Sequence, residues 1–292
     1  MSYPCPPTVA WRFVRALLLM TPFFSVAFAA EEVEAIKVVA SIGPYGYFAS
    51  RIGGEHVTVY TLVPAGASSH SYEPTVKQIL DASKADLWFS LFERYEVKAI
   101  ASAKKLRPAF SAIDLKAGVN LITEHTCSCV GHESFDPHLW LSSRIAKIQA
   151  KTIAGALIAK LPRYKKLFTQ NLASLEQDLD NLDLRSQKVV ESLKQKVFLS
   201  AHPAYGYFAR DYGIKQLSIE VEGKDPTAKQ LAMLIKQAKG YGIKAILTQP
   251  QYSAKGAVQI ARQLNAELIE VNPYASDYFS SMNAFLDALG AE

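Results

Sequence analysis

The sequence of 292 residues has little cysteine and no long run of basic residues. Three cysteines are too few for a disulfide framework, so hydrophobic cores must hold the fold. The formal net charge of +5 is modest, which makes nucleic acid a poor candidate partner. Glycine and proline are not in excess, and 49% of the residues are hydrophobic. This composition excludes collagen-like and mostly disordered chains and fits one large domain or two of ordinary size.

Short catalytic motifs are also missing. The sequence contains no His-Glu-x-x-His, no Gly-x-Ser-x-Gly and no glycine loop that would cradle a phosphate. A protein that is not an enzyme is therefore the first expectation.

The first 29 residues have the pattern of a secretory signal. Arg12 and Arg15 precede an apolar stretch over residues 16–30 that Pro22 interrupts, and Ala27 and Ala29 suit a signal-peptidase site. We expect cleavage near Ala29 and a soluble, exported mature protein. An uncleaved membrane anchor is the alternative, but the apolar stretch is short for a span of about 20 residues.

From about residue 36 onward, short β-rich runs alternate with amphipathic helical stretches, first to about residue 113 and again from residue 197 to the end. This alternation predicts βαβ units with largely parallel sheets, an α/β fold in two lobes. Residues 164–195 lack glycine and proline and carry leucines at roughly helical intervals, which predicts one long, stiff helix between the lobes. A two-helix hairpin broken near residues 181–183 is the alternative. The predicted segments are the signal peptide 1–29, an N-terminal metal-binding lobe 30–162, the helix 163–195 and a C-terminal metal-binding lobe 196–292.

Three of the six histidines stand in predicted turns between a strand and a helix: His70, His138 and His202. In open parallel sheets such turns lie at the carboxyl edge, where ligands bind. Imidazole is a common ligand of zinc, so three of these side chains could converge on one cation if the lobes face each other. The alternative is that each histidine is a loop or capping residue. His56 follows a glycine pair and is expected to be a surface turn residue, whereas the tyrosine-rich stretches 45–48 and 205–208 are expected to form core and cleft wall.

The segments around these histidines are LVPAGASSH (62–70), DPHLWL (136–141) and SAHPAYGYF (200–208), and KAILTQPQYS follows at 244–253. In this order they resemble the signature stretches of the zinc/manganese-type substrate-binding proteins of ABC importers, over about residues 37–288. The resemblance implies two α/β lobes joined by one long helix, with the metal in the cleft between them. It also implies that His70, His138 and His202 are the metal ligands.

The resemblance favours zinc as the transported ion. Manganese-carrying members tend to have a carboxylate at the third ligand position, where this sequence has His202, and nitrogen ligands suit Zn²⁺ better than Mn²⁺. Where the family often has an aspartate after the last strand, this sequence has Asn272. The fourth ligand is therefore left open between Asn272, water, Glu220 and Asp277, with water or Asn272 favoured. Asp114, Glu133 and Glu220 are possible hydrogen-bond acceptors for a ligand imidazole.

The segment 123–133 (TEHTCSCVGHE) holds His125, Cys127, Cys129 and His132. Such tracts favour loose metal binding. We expect this loop either to collect a second, weaker zinc ion or to be a plain exposed loop whose cysteines are paired or reduced.

The expected function is high-affinity Zn²⁺ binding in the periplasm and delivery to an ABC permease of the inner membrane, with the protein acting as a monomer. The alternatives are a secreted zinc-dependent hydrolase, because three histidines and a water also make a catalytic zinc site, or a manganese/iron-binding or adhesin member of the same scaffold. Because the ligands must be neutral, affinity is expected to fall below about pH 6 to 6.5.

Overall fold

A computed structural model describes residues 1–4, 35–124, 134–220 and 224–290. The chain divides into a unit of Met1–Val33 and a unit of Glu34–Glu292. Only residues 1–4 of the first unit are described, and they form no helix or strand. The predicted signal peptide and its cleavage near Ala29 thus lie largely outside the described residues. Every helix that the structure does describe is too short or too polar to span a membrane.

The second unit alternates strands and helices as predicted. Its first half contains β1 (Ile36–Ala40), α1 (Gly43–Gly53), β2 (Val57–Thr61), α2 (Val76–Ala82), β3 (Leu87–Ser90), α3 (Arg94–Leu106), β4 (Ser111–Asp114), β5 (Thr123–Glu124), β6 (Ser134–Phe135) and α4 (Ser143–Lys160). After α5 (Lys165–Ser192) come β7 (Val197–Ser200), α6 (Gly206–Tyr212), β8 (Lys215–Ser218), α7 (Ala228–Tyr241), β9 (Ala245–Thr248), α8 (Lys255–Leu264), β10 (Glu267–Glu270) and α9 (Tyr278–Gly290).

Two parallel four-stranded sheets form the centres of the two lobes. The N-terminal sheet has the order β2-β1-β3-β4 and the C-terminal sheet the order β10-β9-β7-β8, and every pairing in both is parallel. The central strands β3, β7 and β9 are buried throughout, as expected of parallel strands with helices on both faces. The predicted two-lobe α/β fold is confirmed.

One continuous helix, α5, connects the two lobes, and the hairpin alternative is wrong. Its 28 residues make a rod of about 42 Å at 1.5 Å per residue. The buried positions Leu175, Leu179, Leu182, Ser186 and Val190 recur every three or four residues and form one buried stripe that is apolar except at Ser186. The helix is shorter at both ends than the predicted segment 163–195, because a 3₁₀ turn occupies Pro162–Tyr164 and α5 ends at Ser192.

One of the hydrophobic core clusters runs from one lobe into the other, while two smaller clusters each lie within one lobe. Phe285 of α9 stacks on Tyr205 with 4.0 Å between ring centroids and meets Phe208 edge-on at 4.8 Å. In the same helix Tyr278 contacts Phe48 of α1, at 4.8 Å between centroids. The C-terminal helix therefore bridges the lobes, and the tyrosine-rich stretches that contribute these rings are buried as expected.

His56 is not the surface residue that its glycine neighbours suggested. It is 6% exposed, and its ring stacks on Tyr164 at 3.7 Å between centroids. The 3₁₀ turn Gly54–His56 leads directly into β2, which places the imidazole beneath the start of α5.

Candidate metal centre

The three predicted histidines all lie in turns that follow strands. His70 is the centre of the 3₁₀ turn Ser69–Ser71 between β2 and α2. His138 lies between β6 and the 3₁₀ turn Leu139–Leu141, and His202 lies between β7 and α6. The three side chains are thus carried by the connections 62–75, 136–142 and 201–205, each anchored at both ends in a strand and a helix.

The structure brings these three side chains together where the lobes meet. His138 Nε2 lies 3.1 Å from His70 Nε2 and 3.3 Å from His202 Nε2. One ligand atom from each residue lies within 4.8 Å of the other two. The side chains of His138 and His202 are 3% and 6% exposed, whereas that of His70 is 31% exposed. Among the described residues, this is the group of histidine, cysteine or acidic side chains that could hold a metal ion.

Carboxylates contact two of the imidazoles at Nδ1, the ring nitrogen that faces away from the cluster. Asp136 Oδ1 lies 2.7 Å from His138 Nδ1, and Glu220 Oε2 lies 2.7 Å from His202 Nδ1. Glu93 Oε2 is 3.8 Å from His70 Nδ1, which is beyond hydrogen-bonding distance.

The electrostatics of the site keep at least two of the imidazoles neutral. Burial and the two neighbouring imidazoles lower the pKa of His70 to about 3. Burial also lowers the pKa of His202, although the hydrogen bond to Glu220 opposes this shift. Burial and the nearby Glu96 raise the pKa of Glu93 to about 8. A neutral imidazole has a free lone pair, so the cluster is ready to accept a cation.

Tyrosine and serine hydroxyls close one side of the site and join the lobes. The Tyr252 ring stacks on His202 at 3.8 Å between centroids, with 8° between the planes. Ser68 Oγ donates to Tyr252 Oη at 3.3 Å, and Ser69 Oγ lies 3.1 Å from Tyr274 Oη. Because both serines precede His70 in the N-terminal lobe and both tyrosines belong to the C-terminal lobe, this network holds the His70 turn against the facing lobe.

In the structure, each of the three side chains suggested as the fourth ligand makes hydrogen bonds with other groups. Asn272 Oδ1 accepts hydrogen bonds from Gln251 Nε2 at 2.7 Å and from the Tyr274 backbone N–H at 3.1 Å. Glu220 is engaged with His202, and Asp277 Oδ1 accepts the backbone N–H of Ser280 at 3.0 Å near the start of α9. Neither acid belongs to the group of candidate ligand side chains around His138 among the described residues.

Of the three acids suggested as hydrogen-bond acceptors for a ligand imidazole, Glu220 contacts one, that of His202. Asp114 instead pairs with Lys116, 2.9 Å from its Nζ. Glu133 lies outside the described residues, as do His125, Cys127, Cys129 and His132.

Asp136 was missed as an imidazole acceptor. The available signal was its place two residues before His138, which lets its carboxylate reach both the backbone N–H and the ring.

Comparisons with known proteins find relatives by sequence and by fold. A family model described as "ZnuA: Zinc-uptake complex component A periplasmic" matches residues 38–291. A Chlamydia muridarum (strain MoPn/Nigg) protein named for metal binding is 30% identical over 280 residues, covering 94% of this chain and 99% of the relative. The high-affinity zinc uptake system protein ZnuA of Bacillus subtilis (strain 168) is 30% identical over 251 residues, covering 82% of this chain and 78% of the relative.

A solved structure of a ZnuA deletion mutant with zinc bound has a similar fold. It aligns with a TM-score of 0.80 and 32% identity, covering 88% of this chain and 97% of that chain. The family model spans both lobes, the connecting helix and all three histidines. The chain therefore belongs to the ZnuA family, the periplasmic A components of zinc-uptake complexes.

Proposed function

We propose that this protein captures Zn²⁺ between its lobes through Nε2 of His70, His138 and His202 and delivers it to an ABC importer. The observation that carries the proposal is the convergence of these nitrogens, with His138 Nε2 3.1 Å and 3.3 Å from the other two. Such a set suits zinc, which takes four ligands in a tetrahedron and favours imidazole more than manganese does. Water is assigned to the fourth position, because Asn272, Glu220 and Asp277 are engaged elsewhere.

The similar proteins support zinc as the transported ion. The B. subtilis relative is named for high-affinity zinc uptake, and the ZnuA deletion mutant was solved with zinc bound. The family is one of metal-binding transport proteins and not an enzyme family. We extend this to the chain itself: it binds its ion without turning over a substrate. Two acids beside the cluster, Asp136 and Glu220, are hydrogen-bonded to Nδ1 atoms and so are not placed to act as a general base on a zinc-bound water.

We further propose that the chain is exported, cleaved near Ala29 and works in the periplasm as a monomer. Its partner is the permease of an ABC transporter in the inner membrane, whose ATPase drives import. Residues 30–162 and 196–292 are the two metal-binding lobes, and residues 163–195 contain the connecting helix. The family description as a periplasmic uptake component supports this location and this class of partner.

Calorimetric titration of demetallated residues 30–292 with ZnCl₂ tests the proposal. We expect one tight site per chain in the wild type. The variant His138→Ala should weaken binding by more than about 100-fold while keeping the circular dichroism spectrum, since it removes a ligand rather than an outer partner of a ligand.

The matched control is His56→Phe, which removes a buried histidine outside the cluster and keeps a ring against Tyr164. It should bind zinc like the wild type. An unchanged dissociation constant in His138→Ala, or wild-type protein that binds no zinc, would contradict the proposal. Hydrolysis of ester or amide substrates by the zinc-loaded protein would revive the enzyme alternative.

A further inference from the structure

Two of the three imidazoles are held by a carboxylate at the ring nitrogen that faces away from the cluster. In both His138 and His202, Nε2 points into the cluster and Nδ1 points away from it, onto a carboxylate oxygen at 2.7 Å. The third imidazole differs, because the Glu93 carboxylate lies 3.8 Å from His70 Nδ1, beyond hydrogen-bonding distance. The pattern therefore concerns one histidine of each lobe, each with an acid from its own lobe.

Asp136 is held by several independent contacts. Its Oδ1 accepts the backbone N–H of His138 at 2.9 Å in addition to the ring contact. Its own backbone N–H donates to Ile122 O at 2.9 Å, and its carbonyl accepts Tyr207 Oη at 2.8 Å. The residue is 6% exposed, so its carboxylate has little freedom to turn away from the imidazole.

Glu220 reaches His202 because of the register of the C-terminal sheet. Ser200 of β7 pairs with Ser218 of β8. His202 lies two positions after Ser200, and Glu220 lies two positions after Ser218. The Glu220 backbone N–H donates to Ala201 O at 2.9 Å, which continues the ladder past the strand ends. With Tyr252 stacked on its face and Glu220 on its edge, the His202 ring is constrained in two directions.

These contacts decide where the imidazole proton sits. An ionised carboxylate can only accept a hydrogen bond, so the Nδ1 atom that faces it must carry the hydrogen. Nε2 is then left with its lone pair directed at the neighbouring ring nitrogens, which is the form a metal ligand requires.

We propose that Asp136 and Glu220 are positioning residues that fix the tautomer and ring angle of His138 and His202 before the ion arrives. The proposal rests on the proposed function only in taking Zn²⁺ as the ion that the Nε2 atoms bind. It assigns one preformed ligand to each lobe, so that capture starts from a pair of nitrogens that already face each other 3.3 Å apart.

The test uses the mature chain with Glu220→Gln and Asp136→Asn, which keep size but remove the charge. An amide can turn its NH₂ group toward Nδ1 and so stabilise the wrong tautomer. The matched control is Glu191→Gln on the exposed surface of α5. Two quantities are measured: the ring ¹⁵N shifts of the histidines in metal-free protein, and the zinc dissociation constant by competition with a chelator.

In metal-free wild type we expect both rings to carry the hydrogen on Nδ1. Glu220→Gln should change the ¹⁵N pattern of His202 alone, and Asp136→Asn that of His138 alone. Each should weaken zinc binding by about 10- to 100-fold, the usual cost of removing an outer partner of a metal ligand. Glu191→Gln should change neither quantity.

Hydrogen on Nε2 in the metal-free wild type, or unchanged ¹⁵N shifts and zinc affinity in Glu220→Gln, would overturn the inference. If Asp136→Asn fails to fold, Glu220→Gln decides the question, since Glu220 is one-fifth exposed and its loss removes less buried contact. A wild type that binds no zinc defeats the proposed function, while the metal-free ¹⁵N shifts still test the tautomers.

Discussion

The Asp136 carboxylate fits against Gly206 with no room for a side chain between them. A Cβ atom at position 206 would lie 2.5 Å from Asp136 Oδ2, well inside van der Waals contact. Asp136 belongs to the N-terminal lobe and Gly206 begins α6 in the C-terminal lobe. The missing side chain at 206 thus allows one lobe to approach the acid that holds His138.

Replacing Gly206 should weaken zinc binding, although Gly206 is not a ligand of the ion. In Gly206→Ala the new methyl group must displace the carboxylate, which separates it from His138 Nδ1. We expect zinc affinity to fall by about tenfold or more, the scale of losing an outer hydrogen bond. Titration with ZnCl₂ measures this change.

The control for this substitution is Gly155→Ala in α4. Outside its chain neighbours and the backbone of its own helix, no described atom lies within 4 Å of a Cβ at this position, so zinc affinity should be unchanged. Alanine is the better helix former, and the free energy of unfolding should rise by up to about 1 kcal/mol. Wild-type zinc affinity in Gly206→Ala would show that Asp136 can move without loss.

The three histidines should not contribute equally. The His70 side chain is 31% exposed, and the Glu93 carboxylate is too far from its Nδ1, at 3.8 Å, for a hydrogen bond. The His202 side chain is 6% exposed and is fixed by Glu220. A ligand that is already oriented loses less freedom on binding. We therefore expect His70→Ala to weaken zinc binding less than His202→Ala, as measured by chelator competition. Equal losses, or a larger loss in His70→Ala, would contradict this order.

The pH dependence should be shallower than ordinary histidines would give. Three imidazoles with a pKa near 6.5 would together lose roughly a thousandfold in zinc affinity between pH 7.5 and 5.5. In the structure the pKa of His70 is lowered to about 3 and that of His202 is also lowered. A lowered pKa keeps the ring neutral as the pH falls, so protons compete with zinc only at lower pH.

We therefore expect the loss between pH 7.5 and 5.5 to stay far below a thousandfold, and the onset to lie below the pH 6 to 6.5 predicted from the sequence. Zinc titration at both pH values, in buffers that do not bind zinc, measures this. A full thousandfold loss would mean that the imidazoles are as free to protonate as in water.

The aromatic contact between α9 and α6 should be a main source of stability. Phe285 is 1% exposed and stacks on Tyr205. Phe285→Ala should lower the free energy of unfolding by about 3 to 5 kcal/mol, as for other buried aromatic residues. Urea unfolding measures it, with Leu184→Ala as control, because Leu184 is 53% exposed and should change stability by less than about 0.5 kcal/mol. A similar small loss in both variants would show that α9 packs only loosely.

Strand and helix alternation could be predicted from the sequence because buried parallel strands are short apolar runs with turn residues between them. The turns of His70 and His202 followed from the same pattern, since parallel strands place the turns at one edge. His138 instead follows β6, which pairs antiparallel with β5 outside the two parallel sheets, so the edge rule did not place it. Pairing Glu220 with His202 could not be predicted, because it depends on the register of β8 against β7, which the sequence pattern leaves open. His56 was misjudged for a related reason: its burial comes from Tyr164, more than a hundred residues away.

The shared aromatic interior has a consequence for how an ion enters and leaves. If the two lobes moved apart as rigid halves, the buried rings of Phe48, Trp140 and Tyr278, which make contacts across the lobes, would be exposed to water, at a cost of about 1.5 to 3 kcal/mol for each. Exchange is cheaper through the turn that bears His70, which meets the opposite lobe through the Ser68 and Ser69 hydroxyls and the His70 ring. We expect the ion to enter and leave by movement of the turn that bears His70.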